Sequence, residues 1–384
     1  MILSGEQIGV LGGGQLGMFF AESARRMGYR VVIWDPDPKA PARFVADRFI
    51  SAPFNQKGSL QSFLDETKGV TYEWENIPVE IVSEIEKNVI VCPGSAVLGL
   101  LQNRITQKNF LREHQFPVAP YDTVNDPLTL PDKIKGLGLS CIVKTAVSGY
   151  DGQGQWVVTE MGQVVALSGQ FEKYPCPAGW IVEKKIDLRQ EFSVIVVIGE
   201  SFEAISYPIA ENIHEHGILR MSAVPAKINS DLANRVASLG VNVVSALKSK
   251  GVFCVEMFLT ESGELLVNEI APRPHNSGHY TMDVCPVSQY EQQVRVLCGL
   301  PVMPSQLLSP CVLVNILGGE IERLTQEWGH MKKTISTQDI RFHDYRKETI
   351  KPGRKMGHLL IVDPDFEKAM EEAKRIVKLF KTTR

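Results

Sequence analysis

The chain has 384 residues, with 41 Lys and Arg against 44 Asp and Glu and a formal net charge of -3. This length suits two or three domains, and the charge balance excludes a general nucleic-acid binder while allowing a local basic site. No apolar run is long enough to span a membrane, no basic and apolar leader opens the chain, and the seven Cys include no CxxC pair, so reduced thiols in a cytoplasmic protein are expected.

The first 102 residues read as a doubly wound unit. A strand pattern at 7–11 runs into Gly12-Gly13-Gly14-Gln15-Leu16-Gly17, then an amphipathic helix ended by Gly28, then a second strand at 30–34. Gly12, Gly14 and Gly17 have the GxGxxG spacing, and Asp35 lies where an acidic residue would hold a ribose. The spacing alone suits a dinucleotide, but any anion could sit on the glycine-lined helix N-terminus. Thr71-Tyr72-Glu73-Trp74-Glu75-Asn76 follows the strand-like pair Gly69-Val70, where doubly wound sheets place ligand residues. Its acids either bind a polar substrate or cap the helix that starts near Pro78. A short strand at 89–91 closes the unit.

Residues 103–308 form the middle of the chain. A helix over 103–114 carries Arg104, Lys108 and Arg112 at i, i+4 and i+8, a basic face that is ordinarily solvated. The strand 141–144 ends in Lys144 and is followed by Gly149-Tyr150-Asp151-Gly152-Gln153-Gly154-Gln155 and a strand at 156–159. A strand lysine beside a glycine-rich hairpin is a phosphate grip, the lysine giving a point charge and the loop its N–H groups. It is not a Walker loop, since no Gly-Lys-Ser/Thr is present and a strand follows. The strand at 180–186 has a polar break, Glu183-Lys184-Lys185-Ile186, and as an edge it could offer main-chain groups to an adenine. Glu191 opens the strand 192–198 and could hold a ribose. His214 and His216 fall in a polar stretch and read as loop histidines.

The densest signal is at 252–280, two strand patterns around Glu261-Ser262-Gly263-Glu264. A turn centred on Ser262 and Gly263 sets Glu261 opposite Glu264, Thr260 opposite Leu265 and Glu256 opposite Glu269. Opposed residues have Cβ atoms roughly 5 Å apart, where like charges repel unless something positive lies between them. Two carboxylates with the Asn268 amide make an oxygen set suited to Mg²⁺ whose shell is completed by phosphates. A three-residue turn would instead put the carboxylates on opposite faces, leaving a hairpin with two solvated glutamates. Arg273-Pro274-His275-Asn276-Ser277-Gly278-His279 follows directly, with the composition of a phosphate or carboxylate site; the bland alternative is a Pro-rich turn with ordinary surface polarity.

From 309 onward the pattern gives strands at 312–317, 340–345 and 359–362, a basic loop at 351–358 preceded by Lys347, and an amphipathic helix at 366–380.

Taken in order, these signals resemble the ATP-grasp superfamily, and within it the N5-carboxyaminoimidazole ribonucleotide synthetases of purine biosynthesis. The resemblance rests on residues 12–17, 73–77, 148–155, 268–279 and 351–358 and spans nearly the whole chain. It implies an α/β chain with an ATP-grasp fold: an N-terminal doubly wound (Rossmann-like) domain at 1–102, an ATP-grasp domain of two α/β subdomains at 103–308, and a small C-terminal α/β domain at 309–384. Arg104, Lys144, Gly149 to Gln155, Glu183 to Ile186, Glu191, His214, Asn268 and Glu269 are then expected at ATP. Glu256, Glu269 and Asn268 are expected at Mg²⁺. Gln15, Glu73, Tyr150, Asp151, Arg273, His275, Asn276, Lys347 and Arg354 are expected at the ribonucleotide and bicarbonate, with Lys144, Arg273, His275 and Asn276 taking part in catalysis. Gln153 stands where relatives carry Arg or Lys.

The reaction implied joins bicarbonate to 5-aminoimidazole ribonucleotide at the expense of ATP, in a homodimer. Three rivals differ from it. An NAD(P)-dependent oxidoreductase would use the first glycine motif but leaves the paired glutamates idle. Another ATP-grasp ligase would share the nucleotide site with a different acceptor. A non-catalytic nucleotide-binding regulator would be expected to lack a metal glutamate or the lysine.

Overall fold

In a computed structural model, residues 1–149, 154–171, 177–324, 326 and 339–381 are described. The N-terminal unit is a five-stranded parallel sheet, with Gln7–Leu11 between Arg30–Asp35 and Gly69–Tyr72, and Arg48–Ser51 and Ile90–Val91 at the edges. Its inner strands are buried on both faces, as their near-continuous apolar runs require. The helix Gln15–Arg26 has no capping side chain of its own and starts straight after Gly14.

Two antiparallel sheets follow. The smaller has the order Tyr121–Val124, Trp180–Lys184, Cys141–Thr145, Gln155–Val158. Trp180–Lys184 is thus an inner strand paired on both sides, not the edge its polar break suggested. The amides of Lys184 and Lys185 are also taken, by the carbonyls of Pro120 and Ser140, both at 2.8 Å. Only after Glu183 does the chain turn out to solvent, at exposed Lys184 and Lys185.

The larger sheet has nine strands. Its path runs Leu265–Ala271, Gly251–Thr260, Leu188–Ile198, Ala210–Glu215, Ile218–Val224, Cys311–Leu317, Lys355–Val362, Asp339–Asp344, with Ala204–Ser206 beside Leu188–Ile198. The C-terminal strands therefore continue this sheet through the pairing of Met221 with Val314 and its neighbours. Helix Ser230–Ala246 covers one face, setting Val236, Val243 and Val244 against Val194, Phe253 and Val255. Helices Gln15–Arg26 and Gln289–Cys298 meet the other face in one core with Ile195, Val252 and Cys254. Helix Phe366–Lys381 buries Ala369, Ala373 and Ile376 on the C-terminal strands.

Two segments differ from the sequence reading. Residues 210–215 are a strand, so His214 sits in a sheet rather than a loop. The last long strand starts at Lys355, so the second half of the basic 351–358 motif is ladder-bound and aimed by the sheet. Six cysteines among the described residues are free and buried. No described helix is long and apolar enough to cross a membrane.

Candidate active site

The hairpin 251–271 reaches the expected pairing by an unexpected route. Leu259 lies opposite Leu265, Phe258 opposite Leu266 and Met257 opposite Val267, so the turn holds three residues, with Gly263 left-handed at φ +84°. Continued regularly, that register would send Glu269 to the far face. A bulge at Asn268 corrects it: the ladder shifts between Met257 and Glu256, and Glu256 lies opposite Glu269. Asn268 is thereby delivered beside Glu256, its amide 3.5 Å from Oε2. Burial and then the neighbouring Glu269 charge push the Glu256 carboxyl up to about 7, against the opposing pull of His214 and Lys355. A carboxylate pair so destabilised wants a cation between its members. Two carboxylates and the Asn268 amide, whose nitrogen faces Glu256 here, form an incomplete set for a hard cation, and among the described residues no group of three His, Cys, Asp or Glu is arranged to hold a metal by itself.

The strand beside this pair supplies the next groups. Ser193 lies opposite Glu256, and Glu191, two residues earlier, shares its face. Glu191 Oε2 is 3.0 Å from His214 Nδ1. Burial would discharge His214, but the Glu191 bond and charge outweigh it and raise the imidazole's affinity for its proton.

The smaller sheet carries a second charge cluster. Lys144 is diagonal to Glu183 across the ladder, since Ile142 is the residue directly opposite. Lys144 pairs with Glu183 Oε2, and Lys108 Nζ lies 2.8 Å from Glu183 Oε1. Burial alone would raise the Glu183 carboxyl; Lys144 and Lys108 together hold it down to about 2. Lys108 is 5% exposed, so the basic face of this helix is not solvated at its centre. Arg104, one turn earlier, donates to the carbonyls of Thr145 (3.0 Å) and Gly149 (2.5 Å) and anchors the mouth of the glycine-rich loop. Beyond the loop, Gly154 O accepts from Thr145 N at 2.9 Å, and Gln155 pairs with Lys144. Tyr150, Asp151, Gly152 and Gln153 lie outside the described residues.

One helix, Arg104–Glu113, joins the two clusters. Asn103 caps it by accepting from Ile105 N. Gln107, buried, donates to Ile270 O (3.2 Å) and accepts from Ile270 N (2.9 Å), while the next residue is Lys108. The helix thus grips the backbone beside Glu269 and the Glu183 carboxylate within one turn.

The segment after Glu269 is held rigidly. Arg273 makes a bidentate pair with Glu75, with Nη2 donating to Oε1 at 2.8 Å and Nε to Oε2. Glu75 would be raised by burial, but Arg273 holds it below the usual carboxylate range. The His275 ring meets Ser277 Oγ at 2.9 Å and lies 3.4 Å from Glu256. Burial, Arg273 and Lys355 keep that ring neutral. Asn276 and Asn315 exchange amide hydrogen bonds at 3.1 and 2.6 Å, and Asn276 also donates to Tyr345 OH, itself 2.9 Å from His358 Nδ1.

In the N-terminal unit, Glu73 settles the glycine motif. Its carboxylate accepts from Gly14 N (2.6 Å) and Gly17 N (2.7 Å), at the helix N-terminus where a pyrophosphate would lie. Asp35 in turn accepts from Gly13 N and Asp37 N, both at 2.6 Å. The anion site a dinucleotide needs is filled by the protein's own side chains, which removes the oxidoreductase reading. Nor do these acids cap the helix Val79–Glu86, which starts after Pro78 without a side-chain cap.

Gln15 is half-buried at the start of the glycine-loop helix. Lys347 donates to the Lys355 carbonyl (2.9 Å), and its charge acts on Glu73. Arg354 donates to the Thr349 carbonyl at 2.8 Å, and among the described residues no hydrogen bond or ion pair joins it to the other expected substrate residues. Sequence reasoning gave no role to Gln107 or Asn315. Lys108 left a trace in its one-turn spacing from Arg104, Glu75 in the acidic 71–76 motif and Lys355 in the basic 351–358 motif, but none of the three was assigned its partner.

A four-stranded sheet with a strand lysine beside a glycine-rich hairpin, together with a larger sheet carrying an acidic hairpin, is the arrangement of an ATP-grasp protein. Family profiles agree: an ATP-grasp domain at 109–290, a ribonucleotide synthetase preATP-grasp domain at 6–102, and a phosphoribosylaminoimidazole carboxylase C-terminal domain at 311–372. The chain is 39% identical over 372 residues to the N5-carboxyaminoimidazole ribonucleotide synthase of Bacillus subtilis, covering 97% of this chain and 95% of that one. A solved ADP complex of an N5-carboxyaminoimidazole ribonucleotide synthetase superposes with a TM-score of 0.92 at 38% identity, covering 100% of this chain and 99% of the other. The Aspergillus clavatus enzyme, solved with ADP and 5-aminoimidazole ribonucleotide, superposes with a TM-score of 0.88 at 29% identity, covering 98% and 99%. The chain belongs to the N5-carboxyaminoimidazole ribonucleotide synthase family and is an ATP-dependent ligase.

Proposed function

We propose that this chain carboxylates the exocyclic amine of 5-aminoimidazole ribonucleotide, using ATP and bicarbonate and releasing ADP and phosphate. The observation that carries the reading is the single helix Arg104–Glu113 bracing both halves of a phosphate site. Lys108 holds Glu183, the partner of Lys144, and Gln107 holds the backbone next to Glu269. Family membership supports the substrates, as does the ADP and ribonucleotide complex of the Aspergillus clavatus relative.

In this reading the nucleotide lies between the sheets. Arg104 fixes the base of the glycine-rich loop, and Lys144 turns toward the phosphates. Glu191 and His214 meet the nucleoside. Glu256, Glu269 and Asn268 fit a Mg²⁺ ion, because the two glutamates lie opposite each other and burial with the Glu269 charge raises the Glu256 carboxyl despite His214 and Lys355. When bound, that ion neutralises charge at the transferring phosphoryl group. Bicarbonate oxygen attacks the γ-phosphorus, the bond to ADP breaks, and carboxyphosphate results. The amine then attacks the carboxyl carbon and phosphate leaves. The neutral His275 ring can accept a hydrogen bond from bicarbonate, which an imidazolium could not. Arg273, locked by Glu75, presents a fixed cation beside it, and Asn276 is aimed by Asn315. Glu73, Gln15, Lys347, Arg354, Tyr150 and Asp151 surround the ribonucleotide. A homodimer in the cytoplasm belongs to the same proposal.

Bicarbonate labelled with oxygen-18 tests the route. One labelled oxygen should appear in the phosphate released, and unlabelled phosphate would rule out carboxyphosphate.

A further inference from the structure

Glu183 is 4% exposed and takes a lysine on each oxygen, Lys108 on Oε1 and Lys144 on Oε2. The two contacts are independent, so either lysine can leave without breaking the other. They are not equivalent. The Lys108 side chain is 6% exposed and sits on a helix pinned at its start by Asn103 and at the residue before Lys108 by Gln107 on Ile270. The Lys144 side chain is 17% exposed and lies beside the glycine-rich loop. Lys144 is the one placed to turn outward. Its departure would leave a buried carboxylate alone, which is strongly unfavourable unless a second cation stays behind.

We propose that Lys108 is a positioning residue for ATP, holding the Glu183 carboxylate neutralised so that Lys144 can exchange it for the nucleotide phosphates. This rests on the assignment of Lys144 to ATP made above. Without Lys108, Glu183 depends on Lys144 alone, and the phosphates must compete with a buried ion pair. Two simpler roles make different predictions. A purely structural ion pair would affect folding but not ATP in particular. A lysine touching phosphate directly could not be replaced by removing Glu183.

The test compares steady-state constants of the full chain for ATP and for the ribonucleotide, with thermal melting as the control for folding. Lys108→Met should raise the ATP KM about tenfold or more, equivalent to ~1.4 kcal/mol, and leave the ribonucleotide KM within a factor of about two. Lys108→Arg, which keeps the charge, should retain most of the ATP affinity. Lys108→Met combined with Glu183→Gln frees Lys144 and should bring the ATP KM down to that of Glu183→Gln alone, because the proposal has Lys108 act only through Glu183. Lys144→Met separates the two failures. If it weakens ATP while Lys108→Met does not, the inference falls and the ATP assignment stands. If Lys144→Met leaves the ATP KM unchanged, the assignment itself falls. Should Lys108→Met not fold, the double variant carries the test by comparison with Glu183→Gln, and an ATP KM about tenfold above that of Glu183→Gln alone would overturn the proposal.

Discussion

Replacing Glu183 by Gln would leave Lys108 and Lys144 as two ammonium groups around a neutral amide. The native carboxyl is held at about 2 from an ordinary value of 4.5. At about 1.4 kcal/mol per unit, that difference is roughly 3 kcal/mol of favourable interaction with the folded chain. The side chain is 6% exposed, so little of this is screened by solvent. A similar figure, about 3–5 kcal/mol, is typical of removing one partner from a buried pair. The chain has several units, so the loss is best read locally, by hydrogen exchange of Cys141–Thr145 and Trp180–Lys184. Amides in these strands that exchange by local opening should do so roughly 100-fold faster in the variant at neutral pH. The folded-state affinity of Glu183 for its proton is depressed. Its contribution is therefore complete above pH 4.5 and is lost as the pH falls through the 4.5-to-2 window. The wild-type advantage should persist from pH 7 to 5 and shrink below that. A change under about threefold at neutral pH, or an advantage growing on acidification, would refute the argument.

Three further outcomes follow from the site. Glu269→Gln should abolish turnover while leaving the melting temperature within a few degrees, since it removes a charge from a repelling pair; wild-type turnover would remove the metal site. Arg273→Lys loses the bidentate contact to Glu75 and should raise the ribonucleotide KM at least about tenfold, with ATP little affected, read from paired KM measurements. Gly14→Ala places a Cβ 2.5 Å from Glu73 Oε1. It should destabilise the N-terminal unit by about 1–3 kcal/mol in denaturant titration, and an unchanged midpoint would mean that Glu73 is not seated on the glycine loop.

Much of the fold was legible because it follows from short-range pattern. The apolar runs at 252–260 and 265–271 are buried on both faces, the glycines at 12–17 clear one approach, and the amphipathic helix at 366–380 buries one face. What escaped was set by parts distant in sequence. The Glu256–Glu269 pairing was anticipated on a two-residue turn, yet the turn has three residues and Asn268 bulges to compensate. Two departures cancel, and neither is visible until both strands are placed. His214 reads as a loop residue because Glu211, Asn212, His214 and Glu215 are polar, but that polarity belongs to a strand lining the site. Lys108 looks like a solvated helix residue until the smaller sheet brings Glu183 over it, about 75 positions further along. Glu73 could not be placed by spacing either, because its partners, Gly14 and Gly17, precede it by 59 and 56 residues.

The measurement that bears most directly on the central claim is ADP release by the purified chain with ATP and Mg²⁺, adding bicarbonate and 5-aminoimidazole ribonucleotide separately and together. Release that requires the ribonucleotide, with a carboxylated product formed in equal amount, is the predicted result. ADP release indifferent to the ribonucleotide, with ATP still bound, would contradict the proposed acceptor.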